Sequence, residues 1–145
     1  MSISLTHDHV GISLTHENLD ATIHWYESTL NFAVEQQFDV QGTTFAFLAR
    51  DDVRIELVAG ASDRHSAAPS DISTSHTNER LHHFCVAVDD LDATLAELRD
   101  RDVPLIGGPM DVPVIGQRIA FVTDNLGNII EFTQPGARRG RGSRG

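Results

Sequence analysis

Two histidines and two glutamates stand at matched places in this chain of 145 residues. His9 and Glu56 are 47 positions apart, and His83 and Glu131 are 48 apart. Imidazole nitrogens and carboxylate oxygens bind divalent metals at roughly 2.0–2.2 Å. Any one of the four alone is also typical of an ordinary polar strand residue. Their recurrence predicts that together they hold one divalent metal ion, and the mixed donor set suits Zn, Ni, Co, Mn or Fe(II) rather than copper(I).

Glu56 and Glu131 each have bulky apolar neighbours on both sides, and His9 and His83 each begin a stretch in which such neighbours alternate with small or polar residues, as in a β-strand. Side chains alternate between the two faces of a strand, so these neighbours point away from the His and Glu side chains. The apolar face can bury against a helix and leave the His and Glu together on the other face. The neighbours are Val10, Ile12, Leu14, Ile55, Leu57, Phe84, Val86, Ile130 and Phe132.

The tetrapeptide LDAT occurs at Leu19–Thr22 and again at Leu91–Thr94. Apolar residues spaced by three and four follow each copy, which predicts an amphipathic helix, and Asn18 and Asp90 are the predicted caps. A strand-like stretch precedes each helix and three follow it. The order βαβββ therefore occurs twice, in modules 5–59 and 81–135. The Ser- and Asp-rich segment 60–80 is the predicted linker.

Composition limits the function classes. A formal net charge of −10 argues against nucleic acid and anionic membranes as partners, and one Cys excludes an internal disulfide. No apolar run is as long as a membrane span, and the N-terminus has no signal pattern, so a cytoplasmic protein is expected. The basic tail 137–145 has nothing apolar to bury and is predicted to be disordered.

The motifs of this chain resemble those of the vicinal oxygen chelate superfamily. They are DHVGISL at Asp8–Leu14, IELV at Ile55–Val58, LHHFCVAVDDLDATLAEL at Leu81–Leu98 and GNIIEF at Gly127–Phe132. The resemblance implies a single α+β domain over residues 1–136, in which two tandem βαβββ modules form a cup-shaped, half-barrel mixed sheet around a metal. By position in these motifs, the ligand places fall on His9, Glu56, His83 and Glu131, with His82 the alternative to His83.

The resemblance also implies a reaction. Glyoxalase- and epimerase-type members usually use four protein ligands, and this chain keeps all four. We therefore expect an isomerase, lyase or epimerase in which the metal chelates vicinal substrate oxygens and stabilises an enediolate, while Glu131 and Glu56 move the proton. The substrate would be a small molecule, and the expected substrate walls, on the face of the ligands, are Ser13, Cys85, Phe121 and Thr123.

Two other functions of the same superfamily stay open. An extradiol-type Fe(II) dioxygenase uses two His and one Glu, and a drug-binding or antibiotic-resistance protein needs an aromatic groove. A homodimer is expected from the superfamily and from the two-module symmetry, with modules paired within or between chains. The apolar stretch Gly107–Gln117 is interpreted as a loop that forms a substrate lid, a dimer contact or a covered turn.

Overall fold

The computed structural model describes residues 3–63, 68–77 and 81–136. The chain forms two compact units, an N-terminal unit (Met1–His65) and a C-terminal unit (Ser66–Gly145). The predicted linker 60–80 spans the boundary between them, and its residues 64–67 and 78–80 lie outside the described part, as does the tail 137–145. No helix in the described part of the chain is long and apolar enough to cross a membrane.

The N-terminal unit contains one helix and four strands. In chain order they are β1 (Val10–Leu14), α1 (Leu19–Leu30), β2 (Ala33–Val40), β3 (Thr43–Arg50) and β4 (Val53–Ala59). The strands form one sheet in the order β1-β4-β3-β2, in which β1 runs parallel to β4 and the other pairs are antiparallel. The first and last strands of the unit are thus neighbours.

The C-terminal unit repeats this arrangement with β5 (His83–Ala87), α2 (Leu91–Asp100), β6 (Leu105–Val112), β7 (Gln117–Thr123) and β8 (Ile129–Pro135). Its sheet has the order β5-β8-β7-β6, again with the first and last strands parallel. Two open, mixed, four-stranded sheets with one helix each confirm the predicted double βαβββ order.

The alternation of side chains along the strands places each core on one face. In the N-terminal unit Leu48, Ile55 and Leu57 are fully buried, and Tyr26 of α1 is fully buried as well. In the C-terminal unit Val122 and Ile130 are fully buried at the places of Leu48 and Ile55, and Leu91 at the start of α2 is fully buried as well. The opposite face of each sheet is therefore the one that carries the polar residues singled out by the sequence.

Two local expectations are wrong. The side chain of Asn18 makes no capping hydrogen bond, because a 3₁₀ turn at His16–Asn18 leads straight into α1; Asp90 does cap α2, since its carboxylate accepts from the amide of Ala93 at 3.0 Å. Most of Gly107–Gln117 is not a loop, because β6 runs to Val112. β6 is an edge strand with two register shifts, and an edge tolerates the Gly and Pro residues that suggested a loop.

Candidate metal-binding site

His9 and Glu56 meet in the N-terminal unit because β1 and β4 are parallel neighbours. The register of this pair places Gly11 opposite Glu56, and His9 precedes Gly11 by two residues on the same face. His9 Nε2 lies 3.2 Å from Glu56 Oε1. Their side chains keep 31% and 20% of their exposure, so the pair is partly covered yet open to a ligand.

The ring of His9 is fixed from behind by Asp8. Asp8 Oδ2 lies 2.7 Å from His9 Nδ1 and 2.9 Å from a terminal nitrogen of Arg54. The hydrogen bond with His9 and the charge of Arg54 lower the pKa of Asp8 below its usual value, so this carboxylate is an acceptor. His9 Nδ1 accordingly donates to Asp8, which leaves Nε2 as the nitrogen that faces Glu56.

Arg54 is itself held by two further contacts. Its Nε donates to Glu35 Oε1 at 2.7 Å, and its guanidinium lies 4.3 Å from the centroid of the Phe47 ring. The hydrogen bond to Glu35, followed by the charges of Glu35 and Asp8, raises the pKa of Arg54. Four side chains of this unit thus hold the orientation of one imidazole.

His83 and Glu131 meet in the C-terminal unit in the same way. Cys85 lies opposite Glu131 in the parallel pair β5–β8, and His83 precedes Cys85 by two residues. His83 Nε2 lies 2.8 Å from Glu131 Oε1, and the side chains keep 32% and 15% of their exposure. The structure therefore joins Glu131 to His83 and not to His82.

A phenylalanine stands beside each pair. Phe47 lies opposite Glu56 on β3, and Phe121 lies opposite Glu131 on β7. Each ring meets the neighbouring imidazole edge-on, with centroid separations of 5.4 Å at His9 and 5.9 Å at His83. Both units thus build the same His–Glu–Phe arrangement from their first, last and third strands.

The two pairs fit part of a metal coordination sphere. Two ligand atoms bound at roughly 2.0–2.2 Å and at a right angle are about 3.0 Å apart, and the observed separations are 3.2 and 2.8 Å. The same separations suit a hydrogen bond from a protonated imidazole. Within the described residues, no three His, Cys, Asp or Glu side chains form a group able to hold a metal. Each unit supplies two donors, so one pair alone leaves a coordination sphere incomplete.

The four expected substrate-wall residues differ in position. Ser13 and Cys85 are exposed on β1 and β5, and Thr123 is half-buried on β7 opposite Ile129. Phe121 is 8% exposed and packs in a core cluster with Ile106 and Ile129. Its ring supports His83 more than it offers a free surface.

Several residues at the site were missed by the sequence reasoning. Asp8 had a signal, because it directly precedes His9 and a carboxylate next to a candidate ligand is a common partner of its imidazole. Arg54 and Glu35 gave no such signal, since Arg54 of β4 meets Glu35 of β2 and Asp8 before β1 only in the assembled sheet. In the C-terminal unit the contact between Ser75 Oγ and His82 Nε2, at 2.8 Å, likewise depends on the fold.

Comparison with known proteins identifies the family to which a chain with this fold belongs. Residues 6–132 match the family model of the Glyoxalase/Bleomycin resistance protein/Dioxygenase superfamily. The chain belongs to this superfamily, which confirms the resemblance drawn from its motifs.

One protein with a similar sequence is a dioxygenase. The 4-hydroxyphenylpyruvate dioxygenase of Pseudomonas aeruginosa is 25% identical over 115 residues, which cover 74% of this chain and 32% of the relative. The chain thus spans about a third of that relative's length.

Two solved structures are similar in fold. TnmS3, an antibiotic binding protein from Streptomyces sp. CB03234, has a TM-score of 0.66 and 21% identity, over 92% of this chain and 99% of that one. The trypanothione-dependent glyoxalase I of Leishmania major has a TM-score of 0.62 and 24% identity, over 90% and 87%.

Proposed function

We propose that this protein is a divalent-metal-dependent isomerase, lyase or epimerase of the glyoxalase type. The observation that carries the proposal is the doubled His–Glu pair, with imidazole and carboxylate atoms 3.2 and 2.8 Å apart at equivalent places of the two units. In a site of two His and one Glu, Glu56 would have no role as a metal ligand. The four-residue set therefore supports the hypothesis of a glyoxalase-type enzyme.

In this proposal His9, Glu56, His83 and Glu131 hold one metal ion, with the two pairs drawn from one chain or from two. The donor chemistry fits Zn, Ni, Co, Mn or Fe(II). When bound, such an ion would act as a Lewis acid toward two neighbouring oxygens of a small substrate. The side chains of the protein would transfer the proton and bind the substrate.

The carboxylates are the groups able to move a proton. The carboxylate of either pair could turn from its imidazole toward the substrate. It would then act as a base on the carbon next to the substrate carbonyl. One of Glu131 and Glu56 would remove the proton to give an enediolate, and the other would return it. Ser13, Cys85 and Thr123 would line the substrate, and Phe47 and Phe121 would limit the rotation of the imidazoles.

Deuterium exchange tests this proposal directly. In D₂O, deuterium should enter the carbon beside the carbonyl of a 2-oxo hemithioacetal or of a 2-methyl-branched acyl thioester. Glu131→Gln keeps an oxygen ligand but removes most of the basicity, so exchange should fall by about 10²–10⁴-fold with metal content largely retained. Glu27→Gln, on the exposed surface of α1, is the matched control and should leave the rate unchanged. Exchange that survives in the Glu56→Gln, Glu131→Gln double variant would refute the role of the carboxylates as bases.

A dioxygenase is the second candidate, and the sequence match to 4-hydroxyphenylpyruvate dioxygenase favours it. An Fe(II) enzyme of this kind would consume oxygen with a catechol or with 4-hydroxyphenylpyruvate and would lose activity on oxidation. Glu56→Ala would then keep its iron and its activity, because two His and one Glu suffice. An oxygen electrode distinguishes this result from solvent exchange without oxygen uptake.

A drug-binding or antibiotic-resistance protein is the third candidate, and an aromatic cluster on the N-terminal sheet favours it. Phe38 stacks on Phe45 and Phe47 with centroid separations of 5.3 and 6.4 Å, and Phe38 is 39% exposed. A planar aromatic drug could extend this stack. Calorimetry would then show binding without turnover, weakened in Phe38→Ala at unchanged metal content.

A further inference from the structure

A line of hydrogen-bonding groups in the C-terminal unit ends at the imidazole of His83. The hydroxyl of Ser75 donates to the carbonyl oxygen of Ile72 at 2.7 Å. Ser75 Oγ lies 2.8 Å from His82 Nε2, and His82 Nδ1 lies 2.8 Å from His83 Nδ1. None of these contacts involves Glu131, so they approach His83 from the side opposite the proposed metal.

The chemistry of each group determines where the protons lie. A carbonyl oxygen only accepts, so the hydrogen of Ser75 is used toward Ile72 and Oγ accepts from His82. His82 Nε2 then carries a proton, and in a neutral imidazole its Nδ1 is an acceptor. The short contact between the two Nδ1 atoms therefore requires the proton to be on His83 Nδ1.

This arrangement leaves Nε2 as the nitrogen of His83 that can bind a metal ion. Nε2 faces Glu131 Oε1 at 2.8 Å, and a carboxylate oxygen is also an acceptor. Two acceptors at this separation need a cation between them, which is either a proton on Nε2 or a metal ion. In both cases Nδ1 keeps its proton.

We propose that His82 and Ser75 are positioning residues that hold His83 in the Nδ1-protonated form and thereby strengthen metal binding at Nε2. This inference rests on the proposed function. His82 directly precedes His83 as Asp8 directly precedes His9, and each contacts Nδ1 of the following imidazole, at 2.8 and 2.7 Å. The two units thus perform the same task with different side chains, a carboxylate held by Arg54 and an imidazole held by Ser75.

The equivalence of Asp8 and His82 suggests the decisive pair of variants. His82→Phe keeps a planar ring but removes the acceptor, and Zn²⁺ affinity in competition with a chromophoric chelator should fall by about 10–100-fold. His82→Asp should stay within about threefold of wild type, because an Asp Oδ and a His Nδ1 are both bonded to Cγ and the carboxylate restores the acceptor. Ser75→Ala should weaken binding in the same direction. Ser73→Ala removes a hydroxyl from the 3₁₀ turn at Ile72–Thr74, just before Ser75, where it donates to Asp71 Oδ1, and should have no effect.

A second measurement does not depend on metal. Nitrogen-15 NMR of the metal-free full chain should show a proton on His83 Nδ1 in wild type and in His82→Asp, and loss of that proton in His82→Phe. Equal Zn²⁺ affinity in wild type and His82→Phe would overturn the inference while leaving the metal site intact. If wild type binds no metal, the proposed function fails, and the NMR spectrum alone decides the role of His82. A wild-type spectrum without a proton on His83 Nδ1 would refute the positioning role of His82.

Discussion

At the residue scale, each proposed ligand is paired with one other proposed ligand of its own unit. The loss of either member should therefore lower the affinity for the metal. His9→Ala, Glu56→Ala, His83→Ala and Glu131→Ala should each lower metal affinity at least about tenfold, since water must complete the sphere. Elemental analysis of protein purified without a His-tag, together with chelator competition, measures this. His24→Ala on the exposed face of α1 is the control.

The result also tests the strand register of the site. If His82→Ala removes the metal while His83→Ala does not, the pairing of His83 with Glu131 at 2.8 Å has no role in metal binding. Retention of metal in Glu56→Ala alone would point to the three-residue set of a dioxygenase.

At the element scale, the short segment before β5 is packed onto the C-terminal sheet. Ile72 contacts the cluster of Ile106, Phe121 and Ile129, and Asp71 caps the 3₁₀ turn at Ile72–Thr74 by accepting from the amide of Ser73. Ser75 directly follows this turn as its C-cap. The packing of one isoleucine therefore helps to position the hydrogen-bonded line that reaches His83.

Gly107 on β6 is the place where this packing is tightest. A Cβ atom there would lie 2.3 Å from Ile72 Cγ2 and 3.4 Å from Phe121 Cδ2. Gly107→Ala should lower the free energy of unfolding by about 1–3 kcal/mol, as overpacking does, and urea denaturation measures it. Adding Ile72→Ala should recover part of the loss.

The control for this substitution is Gly11→Ala. Among the described residues, a Cβ atom at Gly11 would have one neighbour within 4 Å, Glu56 Oε1 at 3.9 Å, so stability should change little. An unchanged free energy of unfolding in Gly107→Ala would mean that Ile72 does not cover β6 in solution.

The sequence predicted those elements whose patterns are local. Alternation around His9, Glu56, His83 and Glu131 depends only on the strand period, and it identified the correct faces. The length of β6 escaped prediction because Gly and Pro at a sheet edge look like a turn in sequence alone. The contacts of Arg54 and His82 escaped it because they join segments that meet only after the sheet and the 3₁₀ turn have formed.

At the scale of the whole molecule, we expect a homodimer. The expectation comes from the superfamily and from a chain that already carries two copies of one βαβββ unit. Light scattering at micromolar concentration should give twice the mass of 15.9 kDa. A monomer at that concentration would remove the expectation and require the two His–Glu pairs to come from one chain.

The placement of the proposed ligands on, or directly before, the first and last strands of each unit also bears on how the chain is synthesised. β1 leaves the ribosome before β2, β3 and β4, and its hydrogen-bonding partner in the sheet is β4, the last of them. Until then its open edge can pair with other chains, and the closure of this long loop brings a cost in entropy. The same delay recurs between β5 and β8. In a nascent chain that stalls before Val53, His9 would therefore directly precede an unpaired strand, and the chain would be prone to aggregation and to capture by chaperones.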